Sequence, residues 1–184
     1  MTDTATKTQQ QPEPWLRGTL TDGPAVIRAV LHALELARED AERWCGDLTG
    51  LDLNMRPAGL PPVAFHLRHV SGSVDRLLTY AEGRELSEEQ LAELKREAEP
   101  AGALPRTLLR EFRESMEHAA GRIRRFAGAD LEAPRFVGRR RLPTTFGGLL
   151  VHIAEHTQRH IGQMVTTAKI VKASREAATS PGPQ

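Results

Sequence analysis

Apolar side chains recur at helical spacing in four long stretches of this chain. The first, "GPAVIRAVLHALELAREDAERW", runs from a cap candidate at Asp22 and Gly23, with an early proline, to about Trp44. "MRPAGLPP" then stops the chain before a second helix begins near Pro62. That helix, "VAFHLRHVSGSVDRLLTYAEG", sets Val63, Leu67, Val70, Val74, Leu77 and Leu78 on one side and ends at Gly83. "LPRTLLREFRESMEHAAGRIRRFAG" predicts a third long helix, and Thr144 or Thr145 can cap a fourth that reaches about Lys172. Between the second and third, "SEEQLAELKREAE" combines a serine cap with acids in its first turn, which predicts a short surface helix. A short hairpin around "RFVGRRRL" is the one strand candidate. Long helices joined by modest connections predict an all-α, antiparallel four-helix bundle with one short extra helix.

Composition bounds this picture. The 184 residues, 39% of them hydrophobic, suffice for one core, so a single domain over 15–174 is expected. The polar, proline-containing ends at 1–14 and 175–184 are expected to be disordered tails. Lys and Arg total 25 against 24 Asp and Glu, so no overall charge draws the chain to nucleic acid or to an anionic membrane. The single Cys45 excludes an intramolecular disulfide. No apolar window approaches the roughly 18 residues of a membrane span. With no export signal at the start, a soluble, cytoplasmic protein is expected.

The chemistry lies in "HIAEHTQRHIGQ", which sets His152, His156 and His160 at intervals of four. Residues four apart stand one above the other on a helix, close enough for two imidazoles to share one metal ion. Three in a row cannot all reach it. On a wheel of about 100° per residue, Leu150, Ile153, Thr157, Ile161, Met164 and Ala168 form the buried stripe. His156 and His160 flank it, while His152 and Glu155 lie mostly on the other side, as solvated groups or as outer groups supporting the site. Two imidazoles are too few for a zinc-type site with an open position. The second helix offers His66 and His69, three apart. The wheel puts His66 nearer the apolar face, and either can complete a three-nitrogen site between facing helices, with room for water.

"HLRHVSGSVDRLLTYAEG" followed by "HIAEHTQRHIGQM" resembles the DinB/YfiT-like superfamily of metal-dependent proteins, and the likeness covers about 150 residues. The resemblance implies a four-helix bundle whose divalent ion, zinc or nickel first, is held by His69, His156 and His160, with His66 as the alternative helix-two ligand. It implies a transferase or isomerase that uses a low-molecular-weight thiol such as bacillithiol or mycothiol, or else a hydrolase. A homodimer is also expected, because "VIRAVLHALELA" has apolar residues on more than one side.

A metal with an open position makes a nucleophile from water or thiol at neutral pH. Gln163, Arg139 and Arg140 are the expected substrate contacts. The run Arg139 to Arg141 is suited to carboxylates by bidentate pairing, and Arg122, Arg124 and Arg125 extend it into a basic rim. Ser73 can line the pocket or permit close packing. Tyr80, Asp75 and Arg76 are expected to be packing and surface-pair groups. The rival reading is a non-catalytic metal-binding or stress-related interaction protein.

Overall fold

The computed structural model describes residues 11–179. Of the expected tails, 1–10 and 180–184 lie outside the described residues, whereas 175–179, expected as tail, continue the last helix. Within them the order is α1 (Ala25–Cys45), α2 (Gly50–Asn54), α3 (Val63–Ala81), α4 (Glu88–Arg96), α5 (Pro105–Arg124), β1 (Pro134–Val137), β2 (Leu142–Thr145) and α6 (Phe146–Thr179), with short 3-10 turns at Pro14–Leu16 and Pro57–Gly59. The chain is mostly helical with one small sheet, in which β1 and β2 pair antiparallel as a hairpin. No helix among the described residues is long and apolar enough to cross a membrane.

The four long helices are those predicted by apolar periodicity. Helix α1 packs on α5 and α6, and α3 packs on the same two. Val30 and Leu34 of α1, Leu67 and Val70 of α3, Phe112 and Met116 of α5, and Leu150, Ile153 and Ile161 of α6 are almost wholly removed from solvent. Each such side chain contributes about 1.5–3 kcal/mol of burial free energy, so this shared core fixes the level at which α3 faces α6. The extra apolar residues of α1 find partners within the chain, because α1 is covered on two sides by α5 and α6.

Local chemistry sets the helix ends. Thr145 Oγ1 accepts from the Gly148 amide at 3.0 Å, capping α6. Ser87 and Gln90 form a reciprocal capping box at the start of α4. Asp22 does not cap α1: Pro24 occupies that position without a side-chain bond. Before the "MRPAGLPP" stop, a stretch with no predicted element contains α2, started by a capping box of Thr49 and Asp52. Asp52 also pairs with Arg175 at 3.1 Å, and α6 continues past Lys172 to carry that arginine.

Two charge assignments change. Asp75 and Arg76 are not a surface pair: Arg76 is buried against Glu97, and Asp75 binds Arg122. Arg122 does not join a basic rim, because it is 5% exposed and clamped by Asp75 and Glu82.

Candidate metal centre

His69 projects from the first half of α3, and His156 and His160 from successive turns of α6. One ligand atom from each lies within 4.8 Å of the others. All three are partly buried, so the cluster keeps contact with solvent. The Nε2 atoms of His69 and His156 are 3.4 Å apart. Two nitrogens bound at about 2.0–2.1 Å to one tetrahedral ion stand about 3.3 Å apart, so this pair has the spacing of zinc-type ligands. The donor set, all imidazole nitrogen, suits a divalent transition ion.

The outward-facing nitrogens support the same assignment. His69 Nδ1 lies 2.7 Å from Glu97 Oε2. An ionised carboxylate can only accept, so the proton sits on Nδ1 and the Nε2 lone pair points inward. Ser73 donates its hydroxyl proton to the Val70 carbonyl at 3.1 Å, leaving a lone pair 3.5 Å from His156 Nδ1. His160 Nδ1 faces His66 Nδ1 at 3.2 Å, which leaves Nε2 for the shared point. Each of the three histidines thus has its own orienting partner: Glu97, Ser73 and His66.

The protonation state fits as well. Burial lowers the pKa of His156 and of His160 to about 4, and the nearby His69 ring pushes both the same way. His66 falls to about 4 for the same two reasons. These imidazoles are neutral at pH 7, the form that binds metal.

His66 and His69 divide the roles that their spacing left open. His66 is 1% exposed and its Nε2 is buried without a partner among the described residues. His69 stands at the edge of the apolar stripe, 19% exposed, where solvent and a ligand can reach it. Phe65 stacks on the His69 ring at 5.2 Å between centroids and 11° between planes. His152 and Glu155 pair with each other at 3.3 Å on the exposed side of α6, as the wheel predicts.

Glu97, Arg76 and Gly72 were not foreseen. Glu97 ends the short α4, is 5% exposed, and binds Arg76 Nη1 at 2.6 Å through its second oxygen. A Cβ on Gly72 would come 2.7 Å from Arg76 Nη1 and closer still to Glu97 Oε1. The glycine therefore leaves the space in which the carboxylate reaches across α3 to His69. The only linear signal is the spacing of Gly72 and Arg76, one helical turn apart; nothing marks Glu97 among its acidic neighbours.

The expected substrate contacts are not brought together. Gln163 is exposed, three residues past His160 on α6. Arg139 and Arg140 are exposed in the hairpin turn. The hairpin meets the start of α6, and His156 lies ten residues beyond Phe146, about 15 Å along the helix. Cys45 is buried, with its thiol pushed up to about 12 by desolvation, and takes no part.

No curated protein and no solved structure matches this chain. The family model of the DinB superfamily matches residues 33–164, a span that contains all three histidines and Glu97. The chain belongs to the DinB superfamily.

Proposed function

We propose that this protein is a metal-dependent enzyme, a thiol S-transferase in the first instance and a hydrolase in the second, built on an antiparallel four-helix bundle. The observation that carries the reading is the meeting of three imidazoles from two helices, each turned by an outer partner and together open to solvent. A divalent ion bound there acts as a Lewis acid that holds a thiol as thiolate, or water as hydroxide, at neutral pH.

The surrounding residues favour the thiol. Glu97 is tied to both His69 and Arg76, so it orients rather than accepts a substrate proton. Glu155 is engaged by His152 and Arg159 on the exposed side of α6. A nucleophile that sheds its own proton readily suits a site without a free carboxylate base, and a thiol has a far lower pKa than water. Phe65, stacked beside His69, supplies an apolar wall for an electrophilic substrate, and Gln163 is the nearest of the expected substrate contacts.

The test is turnover by protein loaded in turn with zinc and nickel, using a panel of low-molecular-weight thiols with alkyl electrophiles and a parallel panel of esters and amides. Thiol consumption that requires the metal and disappears in His156→Ala supports the transferase. Metal-dependent hydrolysis without thiol shifts the assignment to the second reaction. Stoichiometric metal with no turnover on either panel supports a non-catalytic metal protein instead.

A further inference from the structure

A cavity of about 510 Å³ opens at the hairpin end of the molecule, between β1, the hairpin turn, the end of α3 and the segment leading into α4. Its lining contains none of the histidines and not Glu97. Its charge is unbalanced: Arg84, Arg135, Arg139 and Arg141 line it against the single carboxylate of Glu85. Only Arg84 has an acidic partner, Glu82, which Arg122 shares. Arg135 donates to the Ala81 carbonyl at 2.6 Å and to the Pro134 carbonyl at 2.9 Å, and its guanidinium sits 5.3 Å above the Phe146 ring. Those contacts hold the cation in place without neutralising it. Among the described residues no carboxylate pairs with Arg135, Arg139 or Arg141.

The rest of the lining is largely apolar. Tyr80, Leu86, Leu91 and Phe136 supply it, and Phe136 is 43% exposed. Arg141 lies 4.5 Å over the Phe136 ring, which places a cation at the edge of the apolar wall. It does so from a left-handed backbone, φ +48°, where asparagine or glycine is the ordinary choice. The turn closes through the Arg141 amide on the Gly138 carbonyl at 2.9 Å. An arginine kept at such a position, aimed at a cavity already rich in positive charge, breaks a local preference in the direction of anion binding.

We infer that this cavity is a binding site for a small organic anion, a carboxylate or phosphate joined to a flat apolar body. The anionic group pairs with Arg139 and Arg141, with Arg135 behind them, and the apolar body lies against Phe136 and Leu91. Planar guanidinium groups suit the two oxygens of such an anion, and the volume falls within that of small-molecule pockets. Arg140, though adjacent in sequence, is outside the lining. The site is separate from the histidine centre and its occupation does not require a metal there.

Calorimetric titration of the full chain with 2-naphthoate tests this, with inorganic phosphate and uncharged 2-naphthol as comparisons. Saturable binding of 2-naphthoate is expected, with phosphate and 2-naphthol each weaker. Replacing Arg139→Ser together with Arg141→Gly weakens it about tenfold or more, the loss of charge-assisted contacts. Glycine at 141 relieves the backbone, so that variant folds at least as well as the parent. Phe136→Ala weakens binding as well, and the double replacement His156→Ala with His160→Ala leaves it unchanged. No binding, equal affinity in the arginine variant, phosphate binding as tight as 2-naphthoate, or loss of binding in the histidine variant would each overturn the inference.

Discussion

Helix α3 carries two polar clusters a few turns apart, and they are built on opposite rules. At its C-terminal end Arg122 reaches across from α5 and finds Glu82 at 2.8 Å, Asp75 at 2.5 Å and the Thr79 hydroxyl, while Gln90 donates to Asp75 and Thr79. The donors there meet acceptors, and the Arg122 cation is held between two carboxylates. Nearer its start, His69, His156 and His160 bring like groups together, with ligand atoms within 4.8 Å of one another. The first cluster is closed and serves the fold. The second is a group that could hold a cation, and its outer ring of Glu97, Ser73 and His66 orients the three rings.

Replacing a ligand should separate the two clusters most sharply. His156→Ala or His160→Ala should lower metal affinity by more than the roughly 100-fold that outer partners command, while the metal-free protein keeps its helical circular dichroism. Equilibrium dialysis with zinc measures the first and urea denaturation the second. The reverse holds for Arg122→Met, which should cost about 2 kcal/mol of stability and leave metal affinity unchanged. That figure lies below the roughly 3–5 kcal/mol of a fully buried broken pair because the Asp75 side chain is 42% exposed.

The outer ring predicts the next effect. Glu97→Gln should weaken metal binding by roughly 10–100-fold, and Gly72→Ala should do the same by displacing Glu97 and Arg76. In an ordinary helix, Gly→Ala would instead stabilise by about 1 kcal/mol. A Gly72→Ala protein with enhanced stability and full metal affinity would show that the carboxylate does not need that space.

Acid should also distinguish the clusters. His66, His156 and His160 titrate near 4 in the folded chain against 6.5 when free, so the unfolded chain binds more protons between those values. Their contribution is present in full above pH 6.5 and is lost as pH falls through about 4. The metal-free protein should therefore lose stability over that window, and His160→Ala should flatten the slope in urea midpoints measured across it. The smallest effect belongs to His152→Ala, which should change metal affinity and stability little, because its ion pair is with an exposed glutamate and its other ring contact, with His156 at 5.4 Å between centroids, is loose.

How far the linear chain revealed this depends on what sets each feature. The four long helices and the inward turn of His156 and His160 follow from one periodicity, which burial rewards directly. The choice between His66 and His69 follows from a finer distinction. A wheel ranks burial, and it ranked His66 first; the structure buries His66 almost completely and brings His69, the residue at the rim, into the three-histidine group. Glu97 was illegible because its position depends on how α4 folds back over α3, and no spacing within "KREAE" records that. Arg122 was misread since composition treats an arginine run as exposed, whereas Asp75 and Glu82 offset its burial. Helix α2 escaped because five residues cannot show a period, although its capping box was present in "TGLD".

The central claim is that three imidazoles hold one ion, and metal content decides it most directly. Protein prepared without a histidine tag, loaded with zinc and passed over a desalting column, should carry one ion per chain by elemental analysis. Single replacements His69→Ala, His156→Ala and His160→Ala should each abolish it, and His152→Ala should retain it. Negligible zinc in the parent protein, or an undiminished ion in any of the three replacements, would contradict the account.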